Sequence, residues 1–99
     1  MISSYNVANS NQCMLEPFNT VLEHLLINGW QMVDSCDNSN KVSMNKKYKE
    51  LQEICIEYKH SRYHITVPIN NSVYSYYKHF TNLHNSINFL TNYIDNINQ

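Results

Sequence analysis

The chain has 99 residues, 42% of them apolar, with 7 Lys and Arg against 8 Asp and Glu, a net charge of −1 with histidine neutral. That length supports one domain with one modest core and excludes two. A charge so close to zero provides no long-range field to gather nucleic acid or an anionic membrane, so any recognition must be local.

Charged residues make up 15% of the chain, well below the roughly 25% of an average protein. Amides and hydroxyls take their place: sixteen Asn, ten Ser, four Thr and four Gln stand against one Gly, one Ala and one Arg. The abundant types have AT-rich codons, which points to an AT-rich genome such as that of a low-GC bacterium, a protist, an intracellular parasite or a large DNA virus. A weakly charged, amide-rich surface also repels its own copies little, which favours self-association.

Residues 1 to 13 carry scattered apolar side chains without periodicity and are expected to form a flexible N-terminal arm to a single domain over 14–99. They have neither the basic start nor the apolar core of a signal peptide, and the longest aliphatic run is Leu25-Leu26-Ile27. An intracellular, cytoplasmic protein without a membrane span is the expectation. Cys13, Cys36 and Cys55 are odd in number and form no Cys-x-x-Cys, consistent with reduced thiols.

From Pro17 the pattern is helical. Phe18, Val21, Leu22, Leu25 and Leu26 fall on one stripe, with Pro17 suited to the first turn and Gly29 to a left-handed C-terminal cap. Trp30 to Ser35 reads as a first strand with Trp30 and Met32 on one face. Lys41 to Glu50 either extends that hairpin or forms a loop. The stretch Leu51 to Ile69 is a hairpin: Ile54, Ile56 and Tyr58 alternate with polar residues on one arm and Tyr63, Ile65 and Val67 on the other. Pairing Tyr58 with Tyr63 across the loop 59–62 sets Ile56 opposite Ile65 and Ile54 opposite Val67, and a one-residue slip would turn one apolar row to solvent. Pro68 removes a ladder donor at the end of the second arm.

Phe80, Leu83, Ile87, Leu90, Ile94 and Ile97 are spaced 3, 4, 3, 4 and 3, an amphipathic helix with Thr81 or Asn82 as its N-cap. Val73 to His79 fits either that helix or a strand. Val-Tyr-Ser-Tyr-Tyr favours strand, because aromatic and β-branched residues lose χ1 freedom in a helix and pack well on a sheet. The expected fold is α+β, in the order α-β-β-β-(β)-α, with both helices packed on one face of an antiparallel sheet.

No cysteine or hydroxyl sits on a strand-turn-helix elbow with a base and an orienting group, so no catalysis, cofactor, metal or small-molecule substrate is expected. His60, His64, Cys55 and Glu57 lie near one another on the hairpin, but pairing Glu57 with His64 across the strands explains them without a metal. Two binding readings remain. Eight tyrosines are more than one small core can bury with their hydroxyls satisfied, so Tyr74, Tyr76 and Tyr77, together with Trp30, are the expected surface of a non-enzymatic protein-protein interaction or assembly module, a homo-oligomer or a subunit of a complex. Six of the seven basic residues lie between 41 and 62. Lys46, Lys47, Lys49, Lys59 and Arg62, interleaved with Tyr48, Tyr58 and Tyr63, are the residues of the alternative, nucleic-acid binding. The helix-sheet-helix order resembles that of double-stranded RNA-binding domains, which would imply a basic helix N-terminus on the duplex. Thr81-Asn82-Leu83-His84-Asn85-Ser86 contains no Lys or Arg to play that part.

Overall fold

A computed structural model describes residues 14–34, 40–47, 50–69 and 74–97; the N-terminal arm proposed for residues 1 to 13, with Cys13, and Cys36 lie outside the described residues. A 3-10 turn, Glu16–Phe18, leads into helix α1, Asn19–Ile27. Five strands follow: β1 Gln31–Asp34, β2 Lys41–Lys47, β3 Leu51–Lys59, β4 Arg62–Pro68 and β5 Ser75–Phe80. Helix α2, Leu83–Ile97, closes the domain. The strands form one antiparallel sheet in the order β1-β2-β3-β4-β5, a meander in which each strand pairs with its neighbour in sequence. The segment that the sequence left open between strand and loop is β2, and the tyrosine-rich segment before the last helix is β5.

The end of α1 fixes how the chain enters the sheet. Gly29 has φ of +94°, a left-handed conformation in which a Cβ would be strained. With that turn made, Gly29 N–H donates to Leu26 O at 3.2 Å and Trp30 N–H to Leu25 O at 3.0 Å, the paired bonds of a Schellman motif. Trp30 is thereby turned inward against the helix it has just left, where it is 3% exposed.

The central hairpin has the expected register, with Tyr58 opposite Tyr63, Ile56 opposite Ile65 and Glu57 opposite His64. Its loop is tighter than the sequence suggested, because Lys59 and Arg62 still pair and only His60 and Ser61 turn. Both have positive φ, 53° and 61°. That is the signature of a type I′ turn, whose twist matches that of the flanking strands.

Strand alternation puts Val42, Met44, Ile54, Ile56, Tyr63, Ile65 and Val67 on one face, which is buried. Phe18, Val21, Leu22 and Leu25 cover it from α1 and the turn before it, Leu90 and Ile94 from α2, and Trp30 fills the corner. Burying a side chain of the Leu, Ile, Val or Phe type contributes about 1.5–3 kcal/mol, so this layer is where the domain's stability resides. Asn82 caps α2, its Oδ1 accepting from Asn85 N–H at 3.0 Å. Ser86, fully buried on the same helix, donates its hydroxyl to Leu83 O at 2.7 Å, so that hydroxyl is satisfied.

Tyr93 packs half-buried against this core from α2, and burial pushes its phenol up to about 12 from the usual 10.0. Because the folded state favours the neutral phenol, its contribution to stability is fully present below pH 10 and is lost as the pH rises from 10 through 12. Tyr93→Phe should remove that part of the alkaline decline. In urea melts from pH 9 to 12, the wild type is expected to lose stability more steeply than the variant above pH 10, and parallel curves would contradict it.

Candidate protein interface

The two edges of the sheet differ. β1 has four residues, and its register slips between Met32 and Asp34, a bulge that breaks the ladder. Short, kinked edges of this kind are poor templates for another strand. β5 has six residues, in register with β4 from Tyr63–Phe80 to Pro68–Ser75, and carries no proline, glycine or bulge. Five of those six residues are exposed and Phe80 is half-buried. Among the described residues no strand lies beyond it.

Alternation along β5 divides its side chains between two faces. Tyr76, Lys78 and Phe80 point to the helix side, opposite Val67, Ile65 and Tyr63. There the rings of Tyr76 and Phe80 lie 6.0 and 5.5 Å from that of Phe89 of α2, and Lys78 Nζ sits 5.5 Å from the centre of the Phe80 ring. Tyr77 and His79 point to the opposite face, which no helix covers among the described residues. The Tyr77 hydroxyl is hydrogen-bonded to His64 Nδ1, and His64 Nε2 lies 3.1 Å from Lys59 O. A carbonyl only accepts, so Nε2 donates to Lys59 O, and in the neutral ring Nδ1 then accepts from the Tyr77 hydroxyl. His64 is therefore held by Tyr77 and the Lys59 backbone, while the Glu57 opposite it lies 3.8 Å from Lys59 Nζ. The cross-strand partner expected for Glu57 was His64; the cation it reaches is the lysine two residues along its own strand.

The tyrosines expected to be accessible are so: Tyr74 is 73%, Tyr76 46% and Tyr77 53% exposed. Trp30 must be removed from that surface. It belongs to the core, because the left-handed Gly29 turns it beneath the sheet rather than onto it. A hydrophobic pattern could not distinguish these outcomes, since both readings place Trp30 on the same face as Met32.

The basic residues of the alternative site do not converge. Lys46 Nζ donates to Asn28 O at 2.7 Å and lies beside Gly29, so it caps α1. Lys47 pairs with Leu51 at one end of β3, whereas Lys59 and Arg62 flank the turn at its other end. Eight residues of strand separate them, roughly 25 Å at about 3.3 Å per residue. Lys49 lies outside the described residues. The first turn of α2 contains no Lys or Arg. No family model, curated protein or solved structure matches the chain.

Three other features bear on function. Among the described residues no three His, Cys, Asp or Glu side chains are grouped to hold a metal ion. A hollow of about 200 Å³ between the helices is lined by Thr20, Val21, His24, Thr91, Ile94 and Asp95, smaller than the roughly 300–1,000 Å³ typical of ligand pockets. No helix among the described residues is long and apolar enough to cross a membrane.

Proposed function

We propose that this chain is a small non-enzymatic interaction or assembly module that engages a protein partner through strand β5. The observation that carries this reading is a six-residue, regular edge strand with Tyr76 and Tyr77 exposed on its two faces. Backbone N–H and C=O groups along an open edge supply affinity for an added strand, and side chains that alternate between the faces supply selectivity. Tyrosine gives large contact area and a hydroxyl that tolerates water, so it remains soluble when free and anchors when covered. The nucleic-acid reading has less support, since Lys46 is committed to the end of α1 and the remaining cations are dispersed.

Site-specific photo-crosslinking tests this. A benzophenone amino acid in place of Tyr76 or Tyr77, in the full chain within its native cell, is expected to trap a protein adduct. The same group in place of Glu23, on the exposed side of α1, should trap little. No adduct from the β5 positions, or equal adducts from Glu23, would contradict the proposal.

A further inference from the structure

We infer that the partner of β5 is a second copy of this chain, joined edge to edge about a two-fold axis normal to the sheet, so that two five-stranded sheets become one. This rests on the assignment of β5 as the interaction strand and goes beyond it by naming the occupant. The strand is complementary to its own reverse. A two-fold axis normal to the sheet keeps the helix face of one copy level with that of the other, so residues brought opposite one another must come from the same face. Along β5 only registers that join residues of equal parity satisfy this.

Four such registers are centred on an interior residue of the strand, and the one on His79 carries Tyr76 and Ser75 opposite Asn82 and Leu83, the cap and first residue of α2, where no strand continues. Centring on Lys78 sets two ammonium groups directly opposite, which destabilises an antiparallel pair. Centring on Tyr76 leaves Lys78 to pair with Tyr74, outside the strand, and takes His79 and Phe80 out of the match. Centring on Tyr77 pairs every residue from Ser75 to His79 with a strand residue of the second copy. Tyr77 then faces Tyr77 of the second copy, Ser75 faces His79, and Tyr76 faces Lys78, whose ammonium already lies over Phe80 and Phe89 and would gain a third ring. Tyr74, next before the strand, falls opposite Phe80. Every pair is aromatic, polar or cation on ring, and none opposes like charges. A strand selected for an unrelated partner has no reason to complement its own reverse. The net charge of −1 leaves little repulsion between copies.

Disulfide trapping reads the register directly. Residues directly opposite in an antiparallel pair have Cα atoms about 4.5–5.5 Å apart, within reach of a disulfide. In this register position 77 meets itself across the axis, whereas position 78 lies roughly 8 Å from its own copy, beyond bridging distance. Under mild oxidation, full-length Tyr77→Cys is expected to yield a covalent dimer well above the wild-type background, which controls for the three native cysteines. Lys78→Cys should stay at that background. A double variant, Ser75→Cys with His79→Cys, provides a second route to the same dimer should Tyr77→Cys fold poorly, and circular dichroism checks each fold. If neither variant crosslinks, or if Lys78→Cys crosslinks as well as Tyr77→Cys, the inference is overturned. Photo-crosslinked adducts of a mass other than twice the chain, with no disulfide dimer, would overturn self-pairing and leave the interaction strand standing. Absence of both kinds of adduct would remove both.

Discussion

Trp30→Ala is expected to cost about 3–5 kcal/mol of folding stability, the range for truncating a large buried aromatic side chain. Trp30 is 3% exposed and lies in the same cluster as Leu25, Met44 and Ile54. Truncation would leave a cavity at the corner where α1 hands over to the sheet, beside the backbone bonds that Gly29 and Trp30 make to the end of α1. Against the roughly 5–15 kcal/mol that holds a small domain together, the loss brings the protein near its unfolding threshold. Urea denaturation followed by far-UV circular dichroism measures it. A change below about 1 kcal/mol would mean that Trp30 is a surface residue after all. Tyr76→Ser provides the contrast, since an exposed tyrosine should cost no more than about 1 kcal/mol.

Tyr77→Lys is expected to have the opposite profile, weakening self-association at least tenfold while leaving the fold in place. In the register centred on Tyr77 it replaces two rings in contact with two opposed ammonium groups. Each tenfold change in the dissociation constant corresponds to about 1.4 kcal/mol, which loss of an aromatic pair plus like-charge opposition readily supplies. Within one chain the substitution removes the hydrogen bond to His64, on an exposed face where such a bond contributes about 0.5–1.5 kcal/mol. Sedimentation equilibrium gives the association constant and a urea melt gives the stability. Unfolding in step with dissociation would show that Tyr77 is structural.

Much of this architecture could be read from residue spacing. The alternation at Ile54, Ile56, Tyr63, Ile65 and Val67 has period two, and a single register satisfies both arms, so the hairpin followed directly. The 3-4 spacing from Leu83 to Ile97, with Asn82 before it, defined the last helix and its cap. β2 was harder. Val42 and Met44 alternate, but the lysines at 46 and 47 obscured the pattern, and only the pairing of Met44 with Ile54 and Val42 with Ile56 gives those two residues a place in the core. The tight turn at His60 and Ser61 was also hidden, because neither is the Asn-Gly or Gly-Gly that usually marks positive φ at two successive residues.

The exposure of tyrosines was legible in composition, but their place in the sheet was not. An excess of tyrosine meant that some must be exposed, and Tyr74, Tyr76 and Tyr77 are. Which strand would lie at the edge of the sheet is a property of topology, and no local pattern in Val73 to Phe80 carries it. Trp30 failed for the converse reason. Its burial depends on Gly29 adopting φ of +94°, a backbone event one residue away that hydrophobicity alone does not reveal. The lysines that lie close in sequence are spread out in space because Leu51–Lys59 is an extended strand, with Lys47 paired at one end of it and Lys59 at the other.

The solution mass of the full chain, measured by light scattering across a wide concentration range beside Tyr77→Lys, bears most directly on the claim that β5 pairs with its own copy. The wild-type mass is expected to climb with concentration to twice that of the chain, while Tyr77→Lys stays at the monomer mass throughout that transition. A wild type that remains monomeric at every concentration, or a Tyr77→Lys that dimerises as readily as the wild type, would contradict it.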